Sequence, residues 1–457
     1  MQILLRCALT VCCLTSMATV AHTQVIRPLL PKRSFTVQVN ARDAAKLYVG
    51  HWSDRLWRSD DGGQEWYLCE TGEAGFTDNY LSSVLVSSAD TSVILVGGFL
   101  FDGIKRSTNS GASFERVFTD STGANKKAWF ISEAIAEDPV TPTTIYAVRG
   151  TPGLALWRST DLGTTWDSLA TFPGTYRACT IGIRPDSSNI ILVGTAQGMI
   201  WRSEDAGRTF RTASMGGRDT IRSDAEIPKI VFSPRNPQIA YCVVAIGSTT
   251  NPGLENAGGL WKTEDGGRNW TKIAFADTSL WAVEVIDRGT TDEIWVGGFR
   301  LTLQPTAVLG DSLIARSTDG GLTWTTYPDF PWGVSDEGDE TRSAWVFRYD
   351  RRTQRLYMAL ETGFFVVDLA TSVVESQATP WNSLSVRYQD GTLRVEDASP
   401  RTDDRYWTLY DMSGRTVAAA LIDGSVRYAI PQLAAGTYVL TWGNDRRFRS
   451  SVFGVTP

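Results

Sequence analysis

One short motif recurs six times in this chain, and its spacing narrows the possible folds more than any other feature. Arg58–Trp66 reads RSDDGGQEW and Arg106–Phe114 reads RSTNSGASF. Arg158–Trp166 reads RSTDLGTTW, Arg202–Phe210 RSEDAGRTF, Lys262–Trp270 KTEDGGRNW and Arg316–Trp324 RSTDGGLTW. The shared form is Ser/Thr-x-Asp/Asn-x-Gly-x-x-aromatic, and successive first positions lie 48, 52, 44, 60 and 54 residues apart. That period suits a four-stranded propeller blade and exceeds most helical repeats.

Each marked position has a structural task. The quartets are Ser59, Asp61, Gly63, Trp66; Ser107, Asn109, Gly111, Phe114; and Ser159, Asp161, Gly163, Trp166. The second half of the chain repeats them as Ser203, Asp205, Gly207, Phe210; Thr263, Asp265, Gly267, Trp270; and Ser317, Asp319, Gly321, Trp324. A carboxylate or amide here accepts hydrogen bonds from its own turn's N–H groups, as short polar side chains do. The glycine permits a left-handed backbone, the hydroxyl ties the incoming strand to the turn, and the aromatic ring returns to an apolar layer. These residues are therefore expected to be structural, not catalytic or metal-binding. Glu65, Ser113 and Asn269 replace the Thr that precedes the aromatic elsewhere, which is expected to weaken one local hydrogen bond.

The six hairpins resemble the Asp-box, or BNR, repeats of sialidases, xyloglucan-degrading enzymes, sortilin-type receptors and photosystem II assembly propellers. The resemblance covers residues 34–378 and implies an all-β propeller, in which the count of strand units gives seven blades. Apolar strands precede the boxes, as in LYVG, ILVGG and IYAVR, and RLYMALETGFFVVDL from Arg355 repeats the strand pair without a box. On this count the first unit starts at Phe35, and the last takes its outer strand from VVESQ at Val373. An N-terminal strand that instead closes the last sheet is the alternative.

Insertion lengths single out one rim. The long excursions, at 120–128, 215–226, 247–258, 300–311 and 328–343, all follow the second or fourth strand of a unit. Those connections emerge on one face of a radial blade, and loops on a rigid scaffold commonly carry binding. Trp129, Tyr176, Trp281, Trp332 and Trp345 lie near it and are candidates to stack on a sugar or pack against a peptide, with core packing as the alternative. Asp336, Glu337, Asp339 and Glu340 form an acidic run that is either a solvated loop or a weak cation site, without calcium-loop spacing.

Composition narrows the chemistry. The formal charge of −6 over 457 residues and the absence of a basic run argue against a nucleic-acid partner. Residues 1–23 have the layout of a signal peptide, and no transmembrane anchor is expected in the mature chain. Past that segment only Cys69, Cys179, Cys242 and His51 remain of their types, so a disulfide framework, a histidine metal site or a Ser-His-Asp centre is poorly supplied. No cofactor is expected, and no sequence match assigns a catalytic residue. Departures from each resembling family favour a non-enzymatic propeller that binds protein or glycan; a glycoside hydrolase and a purely structural surface protein are the alternatives.

From Leu384 the texture changes to alternating strands broken by Asp-Gly, Ser-Gly and Ala-Gly turns, the pattern of a small β-sandwich. The order LYDMSGRTV, IPQLAAGTYVLTW and a basic last strand resembles the C-terminal sorting domain of the type IX secretion route, over residues 384–457. That resemblance implies the type IX machinery as a partner, export through the periplasm of a Gram-negative bacterium, and secretion or attachment at the outer surface.

Overall fold

The computed structural model describes residues 26–455 apart from 52–55, 70, 72–79, 100–102, 119–132, 150–153, 173–177, 222–224, 247–257, 277, 300–312, 333–341, 371–383, 390–391, 398–405, 412–415, 423–426, 431–432, 435 and 445–446. The proposed signal segment and the VVESQ stretch lie outside the described residues.

The box turns show why the repeat has its form. In the third copy Ser159 Oγ donates to Asp161 Oδ1 at 2.7 Å and accepts the Gly163 N–H at 2.8 Å. Asp161 Oδ1 also accepts the Thr164 and Thr165 N–H groups, at 3.1 and 2.9 Å. The hydroxyl-to-glycine bond recurs at Ser59, Ser107, Ser203, Thr263 and Ser317, between 2.8 and 3.1 Å. The Trp66, Trp166, Trp270 and Trp324 indole N–H groups donate back to the box glycine's carbonyl.

Three details correct the sequence reading. The left-handed backbone occupies two consecutive residues, because Ser110, Leu162 and Ala206, just before the glycine, sit at φ 57°, 58° and 58°. The glycine has a second duty as well. A Cβ on Gly163 would come 2.7 Å from Leu95, and one on Gly267 2.6 Å from Leu192, each a residue of the preceding sheet. The weakened bond expected before the aromatic is also limited to one copy. Asn269 Nδ2 donates to Asp265 Oδ2 at 2.7 Å, and Ser113 Oγ accepts from Asn109 Nδ2 at 2.8 Å, which leaves Glu65 as the departure.

The strands fold as antiparallel meanders. The innermost strands Ser34–Val39, Tyr80–Val86, Ile135–Glu137, Ala178–Ile183, Ala225–Phe232, Leu280–Asp287 and Ala344–Asp350 touch one another in that order, and the last touches the first. The sheets thus close into a propeller. Six stand as separate blades, five of four strands and one of five, while the meander Ser34–Cys69 is half of an eight-stranded sheet. The fifth strand, Ser214–Met215, opens the 215–226 excursion by pairing in parallel with Asn269–Trp270 of the next sheet.

The ring closes through its N-terminus. Ile26–Leu30 runs antiparallel to Gly363–Asp368 in the register Ile26↔Val367, on the edge expected for VVESQ. The last sheet therefore takes its fourth strand from Ile26–Leu30. Leu29 and Leu30 are buried there, and an edge strand tolerates Pro28, whose ring nitrogen has no N–H to offer. Apolar layers between successive sheets make the core: Leu95, Ile145, Leu156, Ile181 and Val193 form one, and Trp295, Phe347, Met358 and Phe365 another.

In the C-terminal region, Leu384–Gln389, Thr392–Asp397 and Arg427–Ala429 form a three-stranded sheet. Tyr406–Asp411, Thr416–Leu421, Gly436–Asn444 and Arg447–Val455 instead extend the Ser34–Cys69 meander. Both sets contribute to one core that includes Leu393, Val395, Trp407, Leu409, Leu440 and Trp442. No helix among the described residues is long and apolar enough to cross a membrane.

Candidate functional site at the loop-bearing rim

The inner strands share an irregularity that side-chain patterning alone does not announce. Six of them carry a register shift near their first residues, at Ser34/Thr36, Leu81/Ser83, Ala178/Thr180, Glu226/Lys229, Leu280/Ala282 and Ala344/Val346. The residues skipped by the pairing are Phe35, Ser82, Cys179, the Ile227–Pro228 pair, Trp281 and Trp345. Bulges re-aim a side chain and strengthen the local twist, and they gather next to functional sites. This column of bulges sits at the end of the sheets opposite the box turns, where the long connections leave the strands.

On three neighbouring inner strands the column is aromatic. Trp345 meets Phe35 edge-on at 4.9 Å between ring centroids and Trp281 at 5.1 Å. Phe299, just past the strand Asp292–Gly298, completes the group at 4.5 Å from Trp281 and 5.3 Å from Trp345. Phe35 and Trp281 are buried, whereas Trp345 and Phe299 keep part of their surface open. A buried ion pair anchors the group: Arg33 Nε lies 2.9 Å from Glu361 Oε1, and the Trp345 indole donates to Glu361 Oε2 at 2.5 Å. Two of the five aromatic residues singled out from sequence, Trp281 and Trp345, therefore meet. Trp332 is placed elsewhere, buried against Phe330 at 5.2 Å. Trp129, Tyr176, Asp336, Glu337, Asp339 and Glu340 lie outside the described residues. Sequence reasoning passed over Phe35, Phe299, Arg33 and Glu361; the parallel of SFT, LWA and AWV at the strand starts was the available signal.

Deeper along the axis, the inner strands surround a cavity of about 360 Å³ lined in part by Gln38, Ile135, Ile181, Phe232, Glu284 and Arg348. A layer of charge crosses it. Glu133 pairs with Lys229 and with Arg348, linking strands on opposite sides of the ring. Glu284 Oε2 is buried there with no hydrogen-bond partner among the described residues. Burial pushes the Glu284 carboxyl above its ordinary range, while burial and then Arg348 push the Lys229 ammonium well below its own. Because Glu133 joins Lys229 and Arg348 across the axis, the layer works first as a brace.

Among the described residues no three His, Cys, Asp or Glu side chains are grouped to hold a metal. Cys69, Cys179 and Cys242 are buried and unbridged, and burial raises the Cys242 thiol well above its ordinary value.

Comparison with known proteins is consistent with this architecture. The family model for Sortilin, neurotensin receptor 3, matches residues 154–294. Xyloglucanase Xgh74A of Acetivibrio thermocellus is 27% identical over 266 residues, covering 51% of this chain and 29% of the enzyme. A probable oligoxyloglucan-reducing end-specific xyloglucanase of Neosartorya fischeri is 24% identical over 230 residues, covering 48% of this chain and 25% of the relative. The chain therefore spans under a third of the length of these curated relatives. Among solved structures, the GH74 xyloglucanase of Xanthomonas campestris superposes with a TM-score of 0.56 at 17% identity, over 92% of this chain and 60% of that one. YCF48 bound to D1 peptide gives 0.52 at 15% identity, over 76% of this chain and 97% of that one. The molecule is a propeller of the Asp-box type, and its distant relatives by sequence are glycoside hydrolases.

Proposed function

We propose that this protein is an exported propeller that engages a β-glucan chain on its bulge-bearing rim, and that hydrolysis of the xyloglucanase kind is the activity to expect. The observation that carries the reading is the aromatic group of Phe35, Trp345, Trp281 and Phe299, two of whose rings keep open surface on the rim with the long connections. Aromatic faces bind the apolar face of a pyranose while a few polar groups fix its orientation. Sequence alone ranked non-enzymatic binding above hydrolysis; relatives that are themselves xyloglucanases reverse that order. The acid and base are then sought among Asp336, Glu337, Asp339 and Glu340, which chain connectivity ties to the start of the strand carrying Trp345. Trp129 and Tyr176 are proposed to extend the same surface.

The finer architecture belongs to this proposal too. Counting the Ser34–Cys69 meander gives seven blades, the C-terminal residues form a sandwich, and residues 384–457 direct export by the type IX route to the outer surface of a Gram-negative cell.

The test is incubation of the purified full chain with xyloglucan oligosaccharides and unsubstituted β-glucans, reading new reducing ends together with binding by calorimetry. Trp345→Ala is expected to weaken binding by about tenfold or more, and Asp/Glu→Asn/Gln exchange across 336–340 to abolish turnover with binding kept. A second reading, binding without turnover, draws on the coverage of 97% of the YCF48 chain and about a quarter of the enzymes. Saturable binding with no new reducing ends would select it. No binding to any glycan sinks both glycan readings.

A further inference from the structure

The first box departs from the other five, and the departure has a destination. In the third, fourth, fifth and sixth copies the residue before the aromatic donates to the box carboxylate, from Thr165, Thr209, Asn269 and Thr323 at 2.6 to 2.7 Å. In the second, Ser113 is bonded to Asn109. The first copy has Glu65 there, whose backbone N–H still donates to Asp61 Oδ1 at 2.8 Å. Its carboxylate instead accepts Arg447 Nε at 2.9 Å and the Tyr67 hydroxyl at 2.8 Å. Tyr67 is itself an exception. The residue after the aromatic is Glu115, Asp167, Arg211, Thr271 or Thr325 in the other boxes, and exposed in each, whereas Tyr67 is half-buried.

These two exceptions face the C-terminal domain. Arg447, Phe448 and Arg449 pair antiparallel with Tyr67, Trp66 and Glu65, adding a strand to the outer edge of the Ser34–Cys69 meander. The Arg447 guanidinium lies over the Tyr67 ring at 4.5 Å from its centroid, and its Nη2 donates to the Tyr67 hydroxyl at 2.7 Å. Phe448 is buried edge-on against Trp57 at 5.2 Å, in the same apolar cluster as Trp66 and Leu29. Without that strand, two tryptophans and a row of unpaired backbone groups would lie at an open edge, the usual template for strand addition.

We propose that this edge is a dedicated strand-docking site, specific for an extended segment carrying an arginine followed by an aromatic residue, and that the C-terminal domain is its displaceable cover in cis. Peptide main chain supplies affinity at such an edge, and the Glu65–Tyr67 clamp with the Trp57 pocket supplies specificity. A second copy's C-terminal strand is the trans occupant that fits, since it brings the same Arg447 and Phe448.

The experiment uses the full chain and a labelled peptide of residues 444–455. Wild-type protein, with its edge covered, is expected to bind the peptide weakly. Phe448→Ala loosens the cover and is expected to bind it about tenfold or more tightly, with faster hydrogen exchange at the amides of residues 65–69. Adding Glu65→Thr and Tyr67→Thr, the residue types of the sixth box, is expected to remove that gain. Arg447→Glu provides a second way to loosen the cover if Phe448→Ala lowers the melting temperature too far for a folded comparison. Equal peptide binding by wild type and both loosened variants, unchanged exchange at 65–69, or binding indifferent to the Glu65/Tyr67 exchange would each overturn the proposal.

Discussion

The two rims of the ring are drawn by the same strands yet treat sequence in opposite ways. On the box rim every copy repeats one set of bonds, in which the glycine N–H donates to the hydroxyl and an N–H beyond it donates to the carboxyl or amide oxygen. On the other rim six strands repeat a backbone irregularity, but its side chains run from Phe35 through Ser82 and Cys179 to Trp281 and Trp345. The difference shows where each rim's constraint lies. A box turn needs particular atoms at particular positions, because its backbone is left-handed twice over and lies against the preceding sheet. A bulge needs only one extra residue, which leaves the side chain free to be chosen for a ligand.

The sharpest break in that comparison is expected at Gly267. A Cβ there would stand 2.6 Å from Leu192 Cδ2 on a backbone at φ +91°. The left-handed penalty of roughly 1–2 kcal/mol and an overpacking cost of about 1–3 kcal/mol act together. Gly267→Ala should therefore lose about 2–5 kcal/mol, read as a lower urea midpoint at unchanged slope. A loss below about 1 kcal/mol would show that the turn yields, and with it the claim that this rim is fixed.

On the varied rim the same scale of change should be milder. Trp345→Phe adopts the residue that Phe35 already places at an equivalent bulge, keeping an aromatic ring but removing the donor to Glu361. The expected cost is about 1.5–3 kcal/mol, that of a hydrogen bond to a charged group. Near-ultraviolet circular dichroism should stay native apart from the indole bands. Collapse of the fold would place Trp345 among the framework residues and remove the freedom argued for this column.

The same contrast explains what could be read in advance. The box motif declares itself because its chemistry is local: Ser159, Asp161 and Gly163 bond within five residues of one another, so sequence spacing and structure coincide. Phe35 and Trp345 meet across 310 positions of sequence, and Arg33 and Glu361 across 328, so no local pattern records either pairing. Ring closure was hidden for the same reason. IRPLL and VVESQ both read as edge strands by composition, and it is the pairing of Ile26–Leu30 with the last sheet that identifies the first. Glu65 was visible as an exception to the motif, but its partner stands at Arg447, in another part of the chain.

A smaller effect separates neighbours within one turn. Gly62 sits at φ +76° with nothing within 4 Å of where a Cβ would stand, and Ala206 occupies the same place in the fourth box at φ 58°. Gly62→Ala is expected to cost about 1 kcal/mol or less, because unfolded-chain entropy favours alanine while the left-handed state opposes it. A thermal midpoint within a few degrees of wild type would agree. A loss equal to that of Gly267→Ala would mean that backbone sign, and not approach to the preceding sheet, sets the requirement.

The smallest effect at neutral pH, and the most specific, concerns the box carboxylates. For Asp161 and Asp205, burial pushes the pKa up, but hydrogen bonds from Thr165 or Thr209 and from Ser159 or Ser203 outweigh it and hold each carboxyl at about 2. Asp319 is held at about 2 by Thr323, through side chain and backbone, and by Ser317. An unfolded Asp titrates near 3.9, so these groups bind protons less readily in the folded ring than in the open chain. Their contribution is complete above about pH 4 and is lost as pH falls through about 2. Asp161→Asn should lose only this charge-linked contribution at pH 7 and keep the turn, since Asn109 already makes it in the second box, accepting the Ser113 N–H at 2.9 Å and the Ser107 hydroxyl at 2.9 Å. Its melting temperature should then fall less steeply than that of wild type between pH 4 and 2, because an amide has no proton to gain. Parallel curves for the two proteins would mean that these carboxyls are no more acidic in the ring than in the unfolded chain, and that their bonds fix the turn without drawing on charge.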